Sequence, residues 1–185
     1  MSRWIGSIAL GCALVLALGG CRKLDLFRRA ERPSTLSMDP RVGKAAPEIE
    51  GETFDGKSMK LSDHRGKVVV LVFWFSRCGP CKAMIPHERE LVERHRDRPF
   101  ALLGVNNDDV AEDALAVIAA KKMTWPIWKT SGYHDAINQT WSVARWPAVF
   151  VIDANGIVRY ANVRGEELDS AVETLLAETK SAKRP

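Results

Sequence analysis

Val68-Val69-Val70-Leu71-Val72-Phe73-Trp74-Phe75 is an unbroken apolar run, and two residues beyond it comes Cys78-Gly79-Pro80-Cys81. A strand with one face in water alternates apolar and polar residues. A continuous β-branched run is expected of a strand covered on both faces. From Gly79 to about Arg96 the pattern becomes helical. With Met84 as reference and 100° per residue, Cys81, Ile85, Leu91 and Val92 fall on one apolar stripe. A buried strand that feeds a helix through two cysteines puts Cys78 at the helix N-terminus. Unpaired N–H groups and the helix dipole there stabilise a thiolate. The spacing points to a reactive thiol pair rather than a staple, because a ring this small constrains the unfolded chain little.

Working outward, Pro47 to Gly51 and Phe54 to Lys57 read as short strands around the Asp55-Gly56 turn. Ser62 to Gly66 is a turn or a single helical turn that delivers the chain to the apolar run. Downstream, Phe100 to Val105 is a second apolar strand, and Asp109-x-x-Glu112 offers a polar start to a helix carrying Ala114, Leu115, Val117 and Ile118. Trp125 to Trp128 is a short strand or extended segment, and His134 to Trp141 a helix. Ala148 to Ile152, the turn Asp153-Ala154-Asn155-Gly156 and Ile157 to Ala161 form a hairpin. Leu168, Val172, Leu175 and Leu176 mark a last helix, opened by Glu166 and Glu167 where acids suit the dipole. The order predicts an α/β fold: a central mixed β-sheet flanked by helices on both faces, with an extra N-terminal β-hairpin.

A chain of 185 residues suits one domain plus extensions, and 46% hydrophobic with 27% charged residues is ordinary for a globular protein. The formal charge of +4 is carried by residues 1–33, so the chain from Ser34 onward is neutral. A basic leader rather than a basic domain gives little support to nucleic-acid binding. Arg3 and the apolar stretch from Ile5 to Leu18 read as an export signal, too short for a membrane span of about 20 residues. Leu18-Gly19-Gly20-Cys21 resembles the lipobox of bacterial lipoproteins, which implies cleavage before Cys21 and its lipidation. The expected organisation is a signal peptide over 1–20, a lipidated N-terminus and basic tether over 21–41, and a domain over 42–180. An uncleaved anchor or a released soluble form would likewise place the domain outside the cytoplasm. Cys12 and Cys21 are then spent on the leader, which leaves Cys78 and Cys81 for the fold. That excludes a disulfide-rich scaffold and a four-thiolate zinc site.

Between about Val42 and Leu176 the sequence resembles the thioredoxin fold, and within it the membrane-anchored thioredoxin-like proteins of the TlpA/ResA kind. The resemblance rests on Phe73-Trp74 before the motif, Cys78-Gly79-Pro80-Cys81-Lys82, and Pro86 five residues after the second cysteine. Arg145-Trp146-Pro147 before a strand and Ile152-Asp153-x-Asn155-Gly156 closing a hairpin add to it. It implies that Cys78 is the exposed attacking thiolate and that Cys81, sheltered one turn in, resolves the mixed disulfide. It also implies that Pro147 is a cis proline facing that pair, with the Trp146 backbone offered to an extended substrate. The alternative is that Pro147 simply begins an edge strand.

Two departures from the family stand out. Arg77 replaces the tryptophan usual before the first cysteine. Beside Cys78 it would favour the thiolate and make the protein more oxidising; pointed into solvent, it would be screened. The carboxylates found in relatives six residues before the first cysteine, or three after the second, are here Val72 and Met84. Glu88, about 40° from Met84 on the wheel and central to the apolar stripe, is the candidate replacement. A kink at Pro86 that turns Glu88 outward to Arg89 or Arg94 is the favoured reading; burial beneath the cysteines with a raised pKa is the other. His87 and His95 read as surface helix residues. Of Trp125, Trp128, Trp141 and Trp146, only Trp146 has a positional argument for touching substrate.

The expected function is extracytoplasmic thiol–disulfide exchange on protein thiols and disulfides, in the reducing direction. It needs no cofactor and no metal, and it draws on an electron donor in the membrane. Cytochrome c maturation is one role the resemblance allows. The alternatives are a Cu(I) carrier using both thiolates, which lacks the expected histidine, and a thiol peroxidase, where a threonine would stand at Phe75.

Overall fold

The computed structural model describes residues 39–182. The expected signal peptide, Cys12, the lipidation site Cys21 and the tether as far as Met38 lie outside the described residues. Asp39 and Arg41, expected in the tether, are part of the domain: Arg41 lies over the Phe150 ring, 4.4 Å from its centroid.

The apolar run forms β3 (Val68–Trp74), buried along its whole length. It pairs in parallel with β4 (Phe100–Asn106) and antiparallel with β6 (Ala148–Ile152). Outside these lie β5 (Ile127–Trp128) and β7 (Val158–Ala161), giving the order β5-β4-β3-β6-β7. The alternation of β3 divides the core in two. Val68, Val70, Val72 and Trp74 face α1 (Gly79–Arg94) and α4 (Glu166–Ala182), with Ala114 of α2 (Ala111–Lys121) in the same cluster. Val69, Leu71 and Phe73 face Ala46, Ile49 and Leu61 from the N-terminal segment and Trp141 after α3 (Ala136–Thr140). Phe73, Trp141 and Phe150 meet there at centroid separations of 5.0–6.0 Å. Such ring pairs contribute about 0.5–1.5 kcal/mol each beyond the area they bury.

Several boundaries differ from expectation. The hairpin strands are β1 (Glu50–Glu52) and β2 (Ser58–Lys60), with Glu50 opposite Lys60. They start later because Asp55 and Gly56 sit in a wider turn, in which the Thr53 hydroxyl bonds both Asp55 and the Lys57 carbonyl. Asp109 does not cap α2: Val110 holds that position without a side-chain bond, and Glu112 and Asp113 supply the acidic first turn. Asp135 shortens α3 by capping it, its carboxylate accepting from the Ile137 N–H.

The segment before β3 closes both edges of the sheet. At one edge, Gly43 and Ala46 donate to the carbonyls of Val158 and Gly156, and Val158 donates back to Lys44. At the other, Phe54 donates to Ile127 and Lys129 to Glu52. One chain segment covers both the β7 and the β5 side.

Candidate active site

At the C-terminal end of β3 the chain leaves the sheet through Phe75, Ser76 and Arg77 and enters α1 at Cys78. Cys78 is the N-cap; its Sγ accepts the Cys81 N–H at 3.1 Å, and Pro80 occupies the first turn, where no N–H is needed. Cys78 and Cys81 form a disulfide with Cα atoms 5.2 Å apart. The contrast expected between an exposed and a sheltered cysteine is absent from this oxidised form. Cys78 is 5% and Cys81 3% exposed, because Cys78 is packed into the same core cluster as Cys81.

The loop before the cysteines is held from below. The Asp108 carboxylate accepts from the Ser76 N–H at 2.8 Å, the Ser76 hydroxyl at 2.7 Å and the Asn106 amide at 2.8 Å. The Asn107 N–H bonds the Trp74 carbonyl. These residues end a parallel strand, the position where α/β folds gather their chemistry. Their place directly after the second apolar strand is the one sequence signal that marks them.

Pro147 lies one step past the last β3–β6 pair, Phe73 opposite Ala148, at the same end of the sheet as Cys78. The Trp146–Pro147 peptide is cis, the isomer the resemblance implied. Arg164 donates to the Pro147 carbonyl at 2.8 Å. The Trp146 ring packs edge-on against Phe75, with centroids 5.6 Å apart, and Phe75 in turn accepts the Cys78 N–H. The Trp146 indole N–H bonds Asn107 at 2.7 Å, Asn107 bonds Asn138, and Asn138 bonds the Gly132 carbonyl. No backbone hydrogen bond ties Trp146 itself to the rest of the described chain. Trp125, Trp128 and Trp141 are buried and take no part in the site.

Arg77 does not lean on Cys78. Its side chain is 84% exposed and reaches Asp113 at 3.5 Å. The outward reading of Glu88 is wrong: α1 runs on through Pro86, and Glu88 is 3% exposed on the same face as Cys81, Ile85 and Leu91. Burial pushes its carboxyl up to about 8. It does not touch the cysteines directly, since seven residues of helix separate it from Cys81, a rise of about 10 Å. His95 is also buried rather than on the surface, against Phe100, while His87 pairs with Asp169 at 3.0 Å. Among the described residues no cluster of three or more His, Cys, Asp or Glu is placed to hold a metal ion.

The comparisons with known proteins agree with this geometry. The thiol-disulfide oxidoreductase ResA of Bacillus thuringiensis subsp. konkukian (strain 97-27) is 27% identical over 135 residues, 73% of this chain and 76% of that protein. ResA of Geobacillus kaustophilus (strain HTA426) is 33% identical over 121 residues, 64% of this chain and 67% of that protein. The thioredoxin domain of a thiol-disulfide oxidoreductase from Bacteroides vulgatus superposes with a TM-score of 0.69 at 26% identity, covering 73% of this chain and 97% of that one. Residues 42–161 match the AhpC/TSA family. With that match and a thioredoxin-like arrangement of sheet, helices and cysteine pair, the chain belongs to the AhpC/TSA family.

Proposed function

We propose that this chain is a thiol–disulfide oxidoreductase that reduces protein disulfides outside the cytoplasm. The observation that carries the reading is the Cys78–Cys81 pair at the N-terminus of α1, at the same end of the sheet as cis Pro147. In the dithiol form, the Cys78 thiolate attacks one sulfur of a substrate disulfide. An S–S bond forms between Cys78 and substrate, and the other substrate sulfur leaves as a thiolate that takes up a proton. The Cys81 thiolate then attacks Cys78, the second substrate sulfur leaves, and two electrons have passed to the substrate. The Cys81 N–H and the helix N-terminus stabilise the Cys78 thiolate. The unpaired Trp146 backbone offers an edge to an extended polypeptide.

Gly-Pro between the cysteines and the family resemblance favour the reducing direction, and the turn of Arg77 toward Asp113 weakens the case for an oxidant. Glu88, two turns from Cys81 on the same buried face and holding its proton to about 8, is the candidate thiolate-tuning residue of the site. The leader supports export and anchoring through lipidated Cys21, with a membrane electron donor restoring the dithiol and cytochrome c maturation as a setting. No observation favours a copper carrier, and Phe75 argues against a peroxidase.

Insulin reduction by the prereduced protein tests the reading. Cys78→Ser is expected to abolish it, and Cys81→Ser to accumulate a mixed disulfide visible by mass. Activity retained in Cys78→Ser would defeat the reading. In the same assay across pH, an unchanged profile in Glu88→Gln would remove the role given to Glu88.

A further inference from the structure

Beside the cis-proline loop lies an open groove of about 480 Å³. Arg41, Arg145, Trp146, Pro147, Asn162 and Arg164 are among the residues that line it, and no carboxylate among the described residues does. The three arginines are not equivalent. Arg41 is committed to Asp39 through two nitrogens and covers Phe150, so its charge is matched on the spot. Arg164 bonds the Pro147 carbonyl, a neutral acceptor, and has no ion pair among the described residues. Arg145 is exposed and has no hydrogen bond or ion pair among the described residues.

The chain from Ser34 onward carries no net charge, so a groove without carboxylates is a local separation of charge. It coincides with the residues that meet the substrate: Arg145 directly precedes Trp146, and Arg164 holds Pro147. On α1, Lys82 is partly exposed and has no ion pair among the described residues. Arg77 keeps only an exposed contact with Asp113. Cations therefore stand on both elements that frame the disulfide.

We propose that this groove reads acidic residues flanking the substrate cysteines, so that the substrate class is an extended, acidic polypeptide segment carrying a disulfide. The inference rests on the oxidoreductase reading and adds the substrate's charge to it. A guanidinium presents a planar fork of donors that fits a carboxylate, and Arg145 is free to do so. A segment with Lys or Arg beside its cysteine would meet like charge and be rejected.

The test is a single-turnover assay, which needs no recycling reductant. Prereduced, desalted full-length protein is mixed with oxidised Cys-Gly-Gly-Cys peptides flanked by Glu, Gln or Lys. Peptide thiols are counted after acid quench, and each rate is divided by that of the same peptide with 2-mercaptoethanol, a neutral thiol. At low salt the Glu peptides should lead the Gln peptides by about two- to five-fold per acidic residue, with Lys peptides last. The ranking should fade in 0.5 M NaCl. Arg145→Glu should shrink the lead of the Glu peptides and Arg145→Lys preserve it; ratios within one variant are unaffected by a general loss of rate. Exchange with all peptides in no charge order, or an undiminished lead in Arg145→Glu, overturns the proposal. Exchange with none of them defeats the oxidoreductase reading itself.

Discussion

Glu88 lies two turns below Cys81 on the buried face of α1, and each residue is only 3% exposed. A carboxyl group without a charged or hydrogen-bonding partner among the described residues thus occupies a position where leucine would pack. Its raised pKa comes from desolvation alone. The group is kept neutral at neutral pH, and that has a consequence for stability.

Unfolding releases Glu88 to water, where it ionises near 4.5, whereas in the folded chain it holds its proton to about 8. Between those limits the folded state binds more protons, so stability falls as pH rises. The loss attributable to Glu88 is about 3–5 kcal/mol over the window. Urea unfolding at pH 5, 7 and 9 should show Glu88→Leu gaining on the unmodified protein as pH increases. A constant difference would mean that Glu88 does not titrate as described.

His95 acts in the opposite direction. Arg98 donates to its Nδ1 at 3.2 Å, its Nε2 is buried without a hydrogen-bond partner, and Glu173 stands 3.9 Å away. Burial, with Arg98 and Arg94 nearby against Glu173 and Asp169, lowers its pKa below 6.5. Stability should be lost as pH falls below 6.5, where the unfolded imidazole takes a proton and the folded one does not. His95→Phe should flatten the acid side of the profile measured by thermal unfolding.

Arg77, exposed and turned to Asp113, should scarcely affect the disulfide. In Arg77→Gln the reduction potential is expected to move by less than about 10 mV, the equivalent of about 0.5 kcal/mol. Equilibration with glutathione or dithiothreitol buffers measures it. A shift of several tens of millivolts would restore Arg77 as a tuning residue.

Asn138 braces Trp146 through Asn107 and is itself 2% exposed. Asn138→Ala would leave the Asn107 amide without its partner and should cost about 1–3 kcal/mol. Because the Trp146 loop loses its support, KM for a protein disulfide should rise more than kcat falls. An unchanged KM in a folded variant would separate the network from substrate contact.

The central strand, the cysteine pair and the final helix are legible because each has a local signature, whereas the cis isomer at Pro147 follows only from the family resemblance. Val68–Trp74 is apolar throughout, the motif is contiguous, and Leu168, Val172, Leu175 and Leu176 repeat with helical period. The outward turn expected at Pro86 does not occur because the helix continues through it, so Glu88 keeps the register of the buried face. His95 is buried against Phe100, the first residue of the next strand, a contact that no pattern within the helix shows. The Asn107–Asn138–Trp146 chain joins residues 31 and 39 positions apart, and no local pattern announces such a bond.

The segment that reaches from β7 to β5 ahead of the central strand has a further effect. A sheet edge with free N–H and C=O groups is a template on which a second molecule can add its own strand. Here Gly43 to Ala46 cover the start of β7 at Gly156 and Val158, and Glu52 to Phe54 cover β5. Copies crowded together have little open ladder through which to join. Removing residues 39–57 should increase self-association through the uncovered edges, as read by sedimentation velocity; an unchanged sedimentation profile in a folded variant would count against it.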